Sequence, residues 1–159
     1  FETAFINLMI ESGNINEISF INKIKSRPVK LNALISETDT HAFLKSAEEA
    51  IRQGFDTLKI KLGFSVFENE LIRLGFLRTL SDGIKLRIDV NGAWEFEEAK
   101  LKVERLLGFN LEYVEDPTAC FEDNLKLAAL FPEKIAFDQT FNTIEDIQKI
   151  AEIKAPLIL

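Results

Sequence analysis

The sequence predicts an α/β fold in which about six strands form part of a (β/α) barrel of the TIM-barrel type. Three observations lead there. Apolar segments of strand length alternate five times with segments of helical periodicity, from Val29 to Leu159. Such alternation implies parallel strands joined by right-handed crossovers. The strand segments are short and rich in Ile, Leu, Val and Phe, as buried parallel strands are. Finally, ionisable residues end four consecutive strands: Lys61, Asp89, Glu115 and Asp138, spaced 28, 26 and 23 positions apart. One strand, one helix and two short loops take roughly 25 to 30 residues. Each group therefore falls at the C-terminal end of its strand, where parallel α/β folds build their sites. In an open doubly wound sheet the four would be strung along an edge. In a barrel they converge on one mouth, and the barrel is the architecture expected.

The elements follow in order. Phe1, Phe5, Leu8 and Met9 have helical spacing, so a helix is expected over 1–11, then a connector over 14–28. Residues 29–35 alternate and form the first strand. Asp39 or Thr40 caps a helix through Gln53, with Gly54 as its stop. Residues 55–62 form the second strand and 65–80 the next helix, ended by Ser-Asp-Gly at 81–83. The third strand spans 85–90, followed by a helix over 95–107 stopped at Gly108. The fourth strand is 111–115, with a short helix over 122–131 before Pro132. The fifth strand is 134–138, a helix covers 143–154, and a sixth strand begins at Pro156. A whole barrel takes about 250 residues, and this chain has 159. It begins without methionine and stops within an apolar strand, so it is expected to be part of a larger protein. With a barrel edge left open, the segment alone is expected to be poorly soluble.

Composition narrows the function. A net charge of −7 speaks against a nucleic-acid surface. The 14 phenylalanines are read as core filler. No apolar run is long enough to span a bilayer, and no signal peptide is visible. The single cysteine, Cys120, has no internal disulfide partner and suits a reducing compartment; a cytoplasmic location is expected.

Residues two apart on a strand share a face, so Lys59 and Lys61 point together, away from Leu58, Ile60 and Leu62. Two neighbouring ammonium groups repel, and burial disfavours charge; both effects are expected to lower a lysine pKa. A lysine poised near neutrality can act as a general base. A bare Lys-x-Lys is more often a solvated face, or paired with acids, and any one acid is more often a loop start or a cap. Three acids at matching strand ends, beside two lysines, weigh against both. Carboxylates converging without His or Cys suit a hard cation, magnesium, manganese or calcium. A lysine base with a divalent metal matches proton abstraction next to a carboxylate, the metal offsetting the enediolate charge.

Four segments carry a resemblance. Gly54-Phe-Asp-Thr-Leu-Lys-Ile-Lys-Leu-Gly63, Arg87-Ile-Asp-Val-Asn-Gly-Ala-Trp94, Tyr113-Val-Glu-Asp-Pro117 and Ala136-Phe-Asp-Gln139 resemble, in order and spacing, the motifs of strands two to five of the enolase superfamily. A lysine base with a metal-stabilised enediolate is that superfamily's characteristic pairing. The Lys-x-Lys form resembles its muconate-cycloisomerase-like subgroup. The resemblance implies Mg2+, with Mn2+ as the alternative, on Asp89, Glu115 and Asp138. It implies Lys61 as the acid/base and Lys59 as a supporting cation. Arg87, Asn91 and Gln139 are implied to line the site or bind substrate. It implies a small-molecule carboxylate substrate, with no nucleic-acid or membrane partner and an oligomer left open. It divides the chain into residues 1–28, a helix and connector leading from a missing capping domain, and 29–159, an incomplete catalytic barrel.

Within the subgroup, Val29-Lys-Leu-Asn-Ala-Leu-Ile35 resembles the first strand of some o-succinylbenzoate synthases. A dehydration of that type, in menaquinone biosynthesis, is the activity expected. A dipeptide epimerase or N-acylamino acid racemase is the alternative, and a binding homologue without turnover is the third reading. Gln139 departs from the pattern, where a Glu is usual. His41, Trp94 and Cys120 read as helix surface, loop packing and a thiol without a His partner. Glu95, Glu97, Glu98, Glu122 and Asp123 fit helix N-termini, and Glu112 is expected to face away from the site.

Overall fold

The computed structural model describes residues 30–156, together with Leu8, Glu11 and Ser12. The chain divides into two units, Phe1–Lys30 and Leu31–Leu159. In the first, Leu8 and Glu11 are helical, and the Ser12 N–H donates to the Leu8 carbonyl at 2.9 Å. The rest of the helix and connector expected there lies outside the described residues.

In the second unit the elements run β1 (Ala33–Ile35), α1 (Thr40–Arg52), β2 (Thr57–Lys61), α2 (Phe67–Leu80), β3 (Lys85–Asp89), α3 (Phe96–Leu106), β4 (Tyr113–Glu115), α4 (Phe121–Leu130), β5 (Ile135–Ala136) and α5 (Ile144–Glu152). Among the described residues the four strand pairings are parallel, and the sheet order is β1-β2-β3-β4-β5. Consecutive order without a reversal is the winding of a barrel; a doubly wound sheet would reverse at a switch point.

One sheet face is apolar. Leu58, Ile60, Leu62, Leu86, Ile88, Val90 and Val114 are buried there with Phe43, Leu74, Leu77, Val103 and Leu127 from the helices. Sheet–helix burial of this kind is the main driving force for the unit. The opposite face carries Lys59, Lys61, Arg87, Asp89 and Glu115.

Local chemistry sets the helix ends. The Asp39 side chain accepts from the Ala42 N–H at the start of α1, a cap of the usual acidic kind. Gly54 follows the helix with φ +92°, a conformation cheap only for glycine. Thr143 and Asp146 form a reciprocal capping box on α5. Glu97 and Glu98 in α3 and Glu122 and Asp123 in α4 occupy first turns, where the helix dipole favours them.

The differences from expectation are at element ends. The strands are shorter than their alternation, because ladder bonds form only where neighbours overlap. β5 meets β4 only at Val114↔Ile135 and Glu115↔Ala136. Gly108 does not stop α3. The helix tightens into a 3-10 turn over Leu107–Phe109, and Asn110 takes the left-handed conformation (φ +52°), which Asn tolerates. Residues 157–159 of the expected sixth strand lie outside the described residues. The Phe137 N–H donates to the Pro156 carbonyl at 3.0 Å, on the side of β5 away from β4. Among the described residues, no helix is long and apolar enough to cross a membrane.

Candidate active site

Register brings the candidate residues together. Lys61 is level with Asp89, Asp89 with Glu115, and Glu115 with Ala136. These residues form one row across the sheet at its C-terminal rim. Lys59 and Arg87 are paired one row below, two residues back on their strands and on the same face. Asp138 lies two residues beyond Ala136.

Lys59 sits between the two acids of the row. Its Nζ is 2.9 Å from Asp89 Oδ2 and 2.9 Å from Glu115 Oε2, and it donates a hydrogen bond to Glu115 Oε1 at 2.9 Å. Lys61 Nζ donates to Asn91 Oδ1 at 2.6 Å and is 3.9 Å from Asp89 Oδ2. Asn91 also donates its backbone N–H to Asp89 Oδ1 at 3.2 Å. It adopts φ +51°, a left-handed turn that folds its side chain back toward Lys61. The next residue, Gly92 (φ +74°), passes within 2.9–3.1 Å of Ala119 measured from an ideal Cβ position, so a side chain there would clash.

The electrostatics differ from the expectation at Lys59. Burial works to lower the Lys59 pKa, but hydrogen bonds and attraction from Glu115 and Asp89 outweigh it, and the pKa is raised. The neighbouring acids, not the neighbouring lysine, decide the sign. Glu115 bears the cost of the crowding. Burial first, then repulsion from Asp89 and Asp138, lifts it to about 7 against the pull of the Lys59 hydrogen bond. The carboxylate is 1% exposed, and its Oε2, despite the nearby ammonium, accepts no hydrogen bond. Among the described residues, no three His, Cys, Asp or Glu side chains lie close enough together to hold a metal as they stand; the Lys59 ammonium separates two of the candidates.

Arg87 donates to Glu112 Oε2 at 2.7 Å and to Asn32 Oδ1 at 3.3 Å, and its guanidinium lies 5.3 Å from the Tyr113 ring centre. Glu112 therefore does reach the site face, contrary to the strand-parity expectation. It stands one residue before β4, where its N–H already bonds the Leu86 carbonyl of β3 at 2.8 Å, and its carboxylate also pairs with Lys85 at 3.0 Å. Burial would raise its pKa, but the bonds to Arg87 and Lys85 hold it low. Gln139 is exposed and borders a cavity of about 250 Å³ with Asn91, Gly92, Thr140 and Asn142; its backbone N–H is turned to Asp116.

Sequence reasoning left several residues unassigned. Asp116, within the Tyr113–Pro117 motif, is 2% exposed and Asn124 is fully buried; Asn124 Nδ2 donates to Asp116 Oδ1 and the Thr118 carbonyl. An Asn early in a helix, where it is a poor former, was the available signal. Glu70 and Arg73 are also buried. Glu70 accepts from the Gly63 and Ser65 N–H groups at 2.9 and 3.2 Å, and Arg73 donates to the Thr38 carbonyl. Together they tie the loops that follow β1 and β2. Of the residues set aside, Trp94 is buried against Phe67, and His41 and Cys120 are exposed.

The fold and this arrangement can be set beside known proteins. A family model described as "Enolase C-terminal domain-like" matches residues 42–159. The chain belongs to the enolase superfamily. It is 33% identical over 116 residues to the o-succinylbenzoate synthase of Thermobifida fusca, covering 68% of this chain and 36% of that protein. It is 24% identical over 155 residues to an L-amino acid-D/L-Glu epimerase of Sulfurimonas denitrificans, covering 96% and 45%. Among solved structures, the o-succinylbenzoate synthase of Thermosynechococcus elongatus, complexed with Mg in its active site, superposes with a TM-score of 0.69 at 28% identity, over 80% of this chain and 41% of that one. The dipeptide epimerase of Cytophaga hutchinsonii, complexed with Mg and D-Ala-L-Val, gives 0.74 at 23% identity over 86% and 38%; it shares the fold. The chain spans less than half the length of each of these relatives.

Proposed function

We propose that this enolase-superfamily chain carries the proton-transfer site of a Mg2+-dependent lyase of the o-succinylbenzoate synthase type. The observation that carries the reading is the rim row, which sets Lys61 beside Asp89 and Glu115 with Asn91 holding its ammonium. The residues suit a hard divalent cation. The donor set is all oxygen, and Asp89 and Asp138 both repel the buried Glu115 carboxylate, a crowding that positive charge relieves. Asp89, Glu115 and Asp138 would hold it. Bound there, Mg2+ supplies positive charge for the substrate carboxylate as negative charge develops on it.

The chain's own residues do the rest. Lys61, as the free amine, removes the proton α to the carboxylate, leaving the electron pair as an enediolate. Lys61, now an ammonium, returns that proton to the hydroxyl on the adjacent carbon. The C–O bond breaks, the electron pair forms the new C=C bond, and water leaves. Asn91 fixes Lys61 through the 2.6 Å contact, and near-attack placement of this kind is a large part of such barriers. Lys59 adds fixed positive charge beside the carboxylates.

The relative from Sulfurimonas denitrificans, matched over nearly the whole chain, favours a second reading in which the same lysine exchanges the α-proton of a dipeptide. Turnover by the full chain with Mg2+ in deuterated water tests both. Loss of water from the o-succinylbenzoate precursor supports the lyase. Deuterium at a dipeptide α-carbon with loss of chirality supports the epimerase. Lys61→Ala is expected to abolish either activity while Mg2+ binding and folding persist. Full activity in that variant would end the proposal.

A further inference from the structure

Asp116 follows Glu115 directly, is 2% exposed and borders the cavity that Asn91 and Gln139 line. Its backbone is strained at φ +39°, a left-handed value rare for a residue with a side chain. Such strain persists only where the surroundings over-determine it, and here they do. The Asp116 N–H donates to the Ala136 carbonyl at 3.0 Å, and its carbonyl accepts from the Gly92 N–H at 2.7 Å. Its Oδ2 accepts from the Gln139 N–H at 2.7 Å, and its Oδ1 from the Thr140 hydroxyl at 2.7 Å. Asn124 Nδ2 adds a longer contact to Oδ1 at 3.4 Å, and Asn124 is itself fixed by the Thr118 N–H at 3.0 Å.

These bonds join the loop that holds Asp116 to two others. Gly92 lies three residues after Asp89, Asp116 one after Glu115, and Gln139 one after Asp138. Each loop leaves a strand end that carries one of the three acids. We infer that Asp116 is a positioning residue: it clamps the loops after β3, β4 and β5 to one another and thereby sets the spacing of Asp89, Glu115 and Asp138 toward a divalent cation. The inference deepens the proposed function and rests on those three acids being the metal donors. Carboxylate acceptance is essential to it. All three side-chain contacts arrive as donors, so an amide at this position would turn an N–H toward at least one of them.

The test is Mg2+ binding by calorimetry, with the Mn2+ EPR spectrum, on the full chain and on Asp116→Asn, Thr140→Val, Thr140→Ser and Asp89→Asn. Near-ultraviolet circular dichroism checks that each is folded. Asp116→Asn is expected to weaken Mg2+ about 10- to 100-fold and to broaden the Mn2+ spectrum while the fold is kept. Thr140→Val is expected to weaken it less, and Thr140→Ser to restore wild-type binding; that pair carries the test if Asp116→Asn does not fold. Wild-type affinity in both Asp116→Asn and Thr140→Val, with loss in Asp89→Asn, overturns the clamp and leaves the metal site standing. Unchanged affinity in Asp89→Asn as well overturns both.

Discussion

Replacing Lys59 with methionine probes the electrostatics of the site without touching the candidate base. The substitution keeps length and apolar stem but removes the cation shared by Asp89 and Glu115, whose side chains are 4% and 1% exposed. Removing one partner of a buried ion pair costs about 3–5 kcal/mol. Lys59 is itself 20% exposed, which places the metal-free protein at the lower end, about 3 kcal/mol less stable at pH 8. The loss depends on pH in a defined direction. The Glu115 pKa of about 7 lies above its ordinary 4.5. The folded chain therefore binds the extra proton between those values; this contribution is complete below 4.5 and is lost as pH rises through 7. At about 1.4 kcal/mol for each pKa unit, it amounts to at most about 3 kcal/mol. Without the lowering effect of Lys59, the variant holds that proton to higher pH. Its penalty at pH 5 is expected to fall to about half, because Asp89 is then the one charged acid that has lost the Lys59 ammonium. Chemical denaturation in EDTA at pH 5 and pH 8 measures both quantities. Saturating Mg2+ is expected to narrow the gap at pH 8, a bound cation stabilising the folded state. A variant matching wild type at both pH values would refute the account of the buried acids.

Three further substitutions test separate features. Asn91→Gly keeps the left-handed turn but removes the acceptor that holds Lys61; turnover is expected to fall roughly 10²-fold from misplacement, with stability changed by about 1 kcal/mol or less, and normal turnover would count against that contact. Gly92→Ala forces a Cβ against Ala119 at a positive φ and is expected to cost more than about 1 kcal/mol in denaturant midpoint experiments. Asp39→Ala removes the side-chain acceptor of the Ala42 N–H and is expected to cost about 1 kcal/mol, read by the same experiment, while leaving Mg2+ affinity unchanged.

Period-two alternation was enough to place Lys59 and Lys61 on one face, and repeat spacing was enough to bring Lys61, Asp89 and Glu115 into one row. Both are local or near-local properties of the chain. What alternation does not carry is distance. A lowered lysine pKa was expected from burial and from a like charge two residues away, whereas the Lys59 pKa is set by carboxylates 30 and 56 positions away, each at 2.9 Å. Alternation turned Glu112 away, although a long side chain there reaches Arg87 and Lys85. Asp116 is the most instructive case. Its place beside Glu115 is plain in the sequence, and parity alone assigns it to the opposite face. Its significance comes from a left-handed backbone and from donors on two other loops, none of which is visible in any segment of the chain. A site at the rim of parallel strands has this division built in. The strands fix which residues arrive at the rim, and the loops fix how far apart they stand. The cation site proposed for the three carboxylates depends on the second as strictly as on the first, and that is why a residue that ties loop to loop enters the proposal.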